Sequence, residues 1–186
     1  MKYLLVRCFQ QKAVFAHLVP QKGLGERNVA CDFVQGDLEW LGHTRVIVKA
    51  DNEPAVQALV NRVVELAKIE CGGFDQLAKE QPAAYDSQSN GGTEVGVRLV
   101  RGLLRTVKLC LEARIGKYIP VDHAVMPWVV EHVCLLPNVM VRGEDGVSAW
   151  QRVRGRPFNQ QLVGFGESIL YRYPSNGPPH APDGYV

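Results

Sequence analysis

"RVIVKADNEPAVQALV", Arg45 to Val60, reads as a strand that ends on an acid and turns at once into a helix. Arg45 to Lys49 is a nearly continuous apolar run of the kind buried inside a sheet, and it ends on Asp51. Pro54 then opens a helix over Ala55 to Lys68, where the missing proline N–H would have had no partner in any case. In open α/β sheets, ligand chemistry gathers at the carboxyl ends of strands, and Asp51 stands at such an end.

The elements on either side fit an α/β pattern. Upstream, Lys2 to Phe9 and Ala13 to Val19 are apolar runs parted by Gln10-Gln11-Lys12, an antiparallel hairpin. Gly23 and Gly25 break that pattern, and Glu26 to Leu41 carries Val29, Phe33, Val34, Leu38 and Leu41 near helical spacing, with Gly42 as its stop. Downstream, Cys71 to Ser89 gives a weak signal, a loop with room for a short strand or helical turn. Thr93 to Arg114 is the longest helix and His123 to Met140 the next, bounded or bent by Pro127 and Pro137. Ala149 to Val153 suits a short helix and Ser168 to Tyr173 a strand. The expected architecture is a mixed sheet flanked by helices, one domain over residues 1–173, followed by a Pro/Gly-rich tail, 174–186, too poor in apolar residues to order itself.

Composition narrows the function classes. A chain of 186 residues, 46% hydrophobic, buries one sizeable core. No apolar run reaches the length of a membrane span and no signal peptide precedes the first strand, so the expected setting is intracellular, with the nucleus open to it. The five cysteines are scattered through apolar patterns without a Cys-x-x-Cys, which reads as reduced, buried thiols rather than zinc ligands. A net charge of +2 is too small to diagnose a nucleic-acid partner, so the local distribution of charge has to decide.

That distribution is informative around a second acid. Glu94 opens the longest helix, and 42 residues separate it from Asp51. A carboxylate at a strand end and another on a helix's first turn can meet if the helix packs beside the strand, and hard cations such as Mg²⁺ take that kind of oxygen ligand. The plainer alternative makes Asp51 a turn residue and Glu94 an acid favoured by the helix dipole. At about 100° per residue, Arg98, Arg101, Arg105 and Lys108 fall within roughly 40° of Glu94, while Val95, Leu99, Val100, Leu103, Val107, Cys110 and Leu111 take the opposite side. Such a stripe can follow phosphates; an ordinary solvated face is the alternative, though it would carry mixed signs.

Five segments resemble, in order, the integrase catalytic core of retroelement (retrotransposon and retroviral) Pol polyproteins. They are "VIVKADNEPAV" (Val46 to Val56), "SQSNGGTEVGVRLVRGLLRTVKLCLE" (Ser87 to Glu112), "MPWVVEHV" (Met126 to Val133), "DGVSAWQRVRGRP" (Asp145 to Pro157) and "FGESILYR" (Phe165 to Arg172). The resemblance implies a ribonuclease-H-like fold and DNA integration by strand transfer, with Asp, Asp and Glu holding Mg²⁺ or Mn²⁺. Asp51 would be the second aspartate and Glu94 the glutamate, both catalytic and metal-ligating. Asn90 and Gly91 would shape the loop before the glutamate helix, and that helix, with Arg98, Arg101, Arg105 and Lys108, would meet DNA. A homo-oligomer is compatible with it.

Three positions depart from that pattern. Ala50 and Thr93 replace expected residues without harm, whereas the first aspartate and its central strand have no counterpart ahead of Lys2 to Phe9. The resemblance therefore implies an N-terminally incomplete core whose strands at Lys2 to Phe9 and Arg45 to Lys49 each leave an edge unpaired. Three functions stay open: a polynucleotidyl transferase, a catalytically inactive nucleic-acid-binding remnant, and a structural module. Among the remaining residues, Trp128, Glu131 and His132 suit core packing and His17 a half-buried strand position. Trp40 and Trp150 fit core or interface, and Arg152, Arg154 and Arg156 form a second basic cluster.

Overall fold

The computed structural model describes residues 2–25, 27–70, 74–80 and 91–170. In chain order they form β1 (Tyr3–Arg7), β2 (Val14–Leu18), α1 (Val29–Leu41), β3 (Arg45–Lys49), α2 (Pro54–Glu70), β4 (Gln76–Glu80), α3 (Gly91–Ile115), α4 (Met126–Met140) and α5 (Ala149–Arg154).

The hairpin of β1 and β2 is the middle layer. Its strands pair antiparallel from Tyr3↔Leu18 to Arg7↔Val14, and the turn closes through the Cys8 N–H on the Ala13 carbonyl, 2.9 Å. Successive side chains alternate faces, so Tyr3, Leu5, Val14, Ala16 and Leu18 join one core with α3 and α4. Leu4 and Val19 point the other way, into a second core built from Cys31, Leu38, Leu59 and Val63 of α1 and α2. Phe15 and Trp40 meet edge to face at 5.2 Å in a third cluster that holds Ala149 of α5.

The second strand pair is β3 with β4, parallel, from Arg45↔Gln76 to Lys49↔Glu80, with α2 as the crossover that a parallel connection requires. The strand at Gln76–Glu80 lies where the sequence signal was weakest. Among the described residues the antiparallel and parallel pairs remain separate two-stranded sheets, so β1 opposite β2 and β3 opposite β4 each present an edge without a strand neighbour. One face of each pair contributes to the α1/α2 core, through Leu4 of β1 and Val46 of β3. The buried environment expected for Arg45 to Lys49 is corrected: Val46 packs against the α1/α2 core, Val48 is half-buried, and Arg45, Ile47 and Lys49 are exposed, Ile47 by 64%.

The helices follow their apolar spacing with displaced ends. α1 begins at Val29 rather than Glu26, after Asn28 in a left-handed conformation, and ends at Gly42, whose φ of 65° lets its N–H reach the Leu38 and Glu39 carbonyls. α4 starts at Met126 with Pro127 in its first turn and accommodates Pro137 inside. Its inward face is Val129, Val130, Val133 and Cys134, leaving Trp128 67% exposed instead of packed in the core. Ser168 to Leu170 are not in a strand; the rest of that expected strand, and the tail, lie outside the described residues.

Candidate metal and nucleic-acid site

Asp51 is exposed just past the carboxyl end of β3, on a turn held by Gln57, whose Nε2 donates to the Asp51 carbonyl at 2.6 Å and to the Ala50 carbonyl at 3.3 Å. The turn is thus pinned from α2, the helix that Pro54 starts. Glu94 is exposed in the first turn of α3. That end of α3 is seated on β1: Arg7 donates from Nη1 to the Gly92 carbonyl, and the Phe9 ring lies where any side chain at Gly92 would have to go. Gly96 lets the next turn approach Leu5 and Arg7, where an added Cβ would already be 3.4 Å from the arginine. Asn90 lies outside the described residues.

Both acids are oxygen donors suited to a hard divalent cation, which binds through one or two carboxylates and keeps several waters. Among the described residues no group of three or more His, Cys, Asp or Glu side chains comes together to hold a metal ion. The donor type therefore fits Mg²⁺ or Mn²⁺, and the described donors do not complete a two-cation site.

The basic stripe divides. Arg98, Arg101 and Arg105 are exposed along α3, and Arg101 is steadied by its Nε donating to the Tyr3 hydroxyl at 2.7 Å. Lys108 is turned inward: its Nζ pairs with Glu112 Oε1 at 2.5 Å and stands 4.5 Å from the Tyr118 ring centroid. Glu112 also accepts the Ile119 N–H at 2.7 Å, and the Lys108 bond, then this one, hold its carboxyl below the usual range. The i,i+4 spacing on one helix places Lys108 and Glu112 side by side, which the stripe reading of Lys108 did not take into account; the bond from Ile119 comes from the following loop.

The opposite side of α3 is less buried than its composition suggests. Val100 and Leu111 are in the core, yet Val95 is 46% and Leu99 39% exposed, and Cys110 is exposed. Other basic residues collect beside them: Arg7 and Lys12 from the hairpin, Arg142 after α4, and Arg152 of α5 line one recess with Val95 and Leu99. Of these only Arg152 stood out in the sequence, because the rest are single residues on segments far apart in the chain.

Comparison with solved structures decides the fold. The chain aligns with the catalytic core domain of BIV integrase at a TM-score of 0.54, with 17% identity, covering 82% of this chain and 85% of that one. It has the fold of an integrase catalytic core. A second alignment, to a chain of the simian T-cell lymphotropic virus intasome in complex with PP2A regulatory subunit B56 gamma, has a TM-score of 0.59 and 13% identity, over 91% of this chain and 55% of the other. No protein-family model matches, and no curated protein matches. Among the described residues no helix is long and apolar enough to cross a membrane.

Proposed function

We propose that this chain is a retroelement integrase core segment that binds duplex DNA along α3 and presents Asp51 and Glu94 to Mg²⁺ or Mn²⁺ for polynucleotidyl transfer. The observation that carries the reading is the exposed row Arg98, Arg101 and Arg105 running from the turn that bears Glu94, on a helix fixed to the sheet by Arg7 and Tyr3. Guanidinium groups suit phosphate oxygens, and such contacts give affinity without base selectivity. The integrase-core fold supports it.

Binding and turnover separate in this reading. Two carboxylates by themselves rarely fix two cations, so the isolated chain is expected to bind DNA without joining strands; an inactive nucleic-acid-binding remnant is the second reading, favoured by the lack of a third metal donor among the described residues. Each neutralised phosphate lowers the slope of log K against log salt by about 0.9 on duplex DNA. Changing Arg98 and Arg105 together to Gln should flatten that slope by roughly 2 units on two unrelated duplexes alike, whereas Lys108→Gln should leave it unaltered. An unchanged slope in the double variant overturns the DNA-binding reading. Mn²⁺-induced broadening of the Asp51 and Glu94 amide signals, absent in Glu94→Gln, tests the metal assignment; strand joining by the isolated chain, abolished in Glu94→Gln, would refute the inactivity.

A further inference from the structure

Between the hairpin turn, the first turns of α3 and the loop after α4 lies a recess of about 150 Å³, whose lining includes neither Asp51 nor Glu94 and none of Arg98, Arg101 and Arg105. Its apolar lining is Val14 and Pro137, both buried, with the more exposed Val95, Leu99 and Val141. Its rim carries four cations, Arg7, Lys12, Arg142 and Arg152. Among the described residues Arg152 alone of the four meets a carboxylate, with Nη2 on Asp145 Oδ1 at 2.5 Å, and its Nη1 donates to the Gln11 carbonyl at 3.3 Å. Arg7 has uncharged partners, the Gly92 carbonyl and the face of Phe9, 5.6 Å from its guanidinium carbon to the ring centroid. The side chains of Lys12 and Arg142 have no hydrogen bond or ion pair among the described residues.

Like charges gathered over an apolar floor repel one another and focus a positive potential into the opening. Half-buried charges are ordinarily paired, and Arg7 and Arg152 are both half-buried. Lys12, moreover, is held at a φ of 61°, a left-handed conformation uncommon for a residue with a side chain. One anion would offset the three cations that meet no carboxylate among the described residues. A cavity of about 150 Å³ accepts a single benzene-sized ring, and paired guanidinium groups match the planar oxygens of a carboxylate or the face of a phosphate.

We propose that this recess is a binding site for a small aryl anion, a phosphate monoester or carboxylate borne on one ring, with the ring on the Val14–Leu99–Val141 floor and the anionic oxygens among Arg7, Lys12, Arg142 and Arg152. The inference does not depend on the integrase reading.

The full chain is titrated with phenyl phosphate, benzoate, inorganic phosphate and phenol, following the amide signals of Gly96 and Gly143 at the recess. Saturable shifts with phenyl phosphate or benzoate are expected, the tighter of the two identifying the head group, with inorganic phosphate and phenol each at least about tenfold weaker. Lys12→Gln with Arg142→Gln should weaken the aryl anions about tenfold or more with an unchanged melting temperature, while Arg105→Gln, on the stripe, leaves them unaffected. Absence of saturation, or equal binding by the double variant, overturns the site. Inorganic phosphate binding as tightly as phenyl phosphate overturns the role of the floor, and phenol binding as tightly overturns the role of the cations.

Discussion

The Asn138 side chain reaches from α4 to Val14 on β2 and exchanges two hydrogen bonds with that one residue: its Nδ2 donates to the Val14 carbonyl and its Oδ1 accepts the Val14 N–H, each at 2.9 Å. Both residues are buried, so the amide does for the outer edge of β2 what a neighbouring strand would otherwise do. Asn138→Ala leaves two buried backbone groups without partners and should cost about 2–4 kcal/mol, read as a lower denaturant midpoint. A loss below about 0.5 kcal/mol would mean that water replaces the amide.

His17 and Asp37 form the buried ionisable pair, with Nε2 3.0 Å from both carboxylate oxygens and the imidazole stacked on Phe33 at 4.4 Å. Burial raises the Asp37 carboxyl above its ordinary value of 3.8, against the lowering effect of the His17 bond. The folded state therefore holds this proton more tightly than the unfolded chain, so the contribution is full below pH 3.8 and is lost as pH rises through the folded value. Asp37→Asn lacks that loss, and its stability relative to the parent should increase with pH across that window. His17→Ala should instead cost about 1–3 kcal/mol by leaving the buried Asp37 carboxyl without its hydrogen-bond partner. A pH-independent difference for Asp37→Asn in urea titrations would contradict the assignment.

Trp128 is 67% exposed, whereas Trp40 and Trp150 lie 6.1 Å apart among Phe15, Phe158 and the Arg154 guanidinium. Trp128→Gln should change stability by no more than about 0.5 kcal/mol and remove the component of fluorescence most readily quenched by acrylamide. Trp150→Ala should cost about 3 kcal/mol. Equal quenching of the parent and Trp128→Gln would show that the ring is covered.

The cysteines should sort by burial. Cys134 is buried and its thiol is pushed up to about 12 by desolvation, and Cys31 is raised for the same leading reason. Cys110 is exposed. Iodoacetamide at pH 8 should modify Cys110 within minutes and spare Cys31 and Cys134 until denaturant is added, as peptide mass spectrometry would record. Modification of Cys134 in the folded protein at the rate of Cys110 would contradict its burial.

Local periodicity by itself determined the hairpin, the strand ending ahead of Asp51, and the helices carrying Glu94 and Trp128, because strand alternation and helical spacing are written within a few residues. It also placed Glu94 beside Arg98, Arg101 and Arg105, since one helix turn fixes that relationship. Tertiary packing decided what those faces meet. The same apolar pattern left Ile47, Leu99 and Trp128 exposed while half-burying Val46 and burying Val100 and Val129, because burial depends on which element arrives opposite and no spacing within one segment encodes that. Lys108 left the stripe for an i,i+4 pair with Glu112, whose carboxylate also accepts the Ile119 N–H from the loop beyond the helix. Lys12, Arg142 and Arg152 became one rim only when α4 and α5 folded back on the hairpin, a long-range closure that only the hydrophobic core between them stabilises.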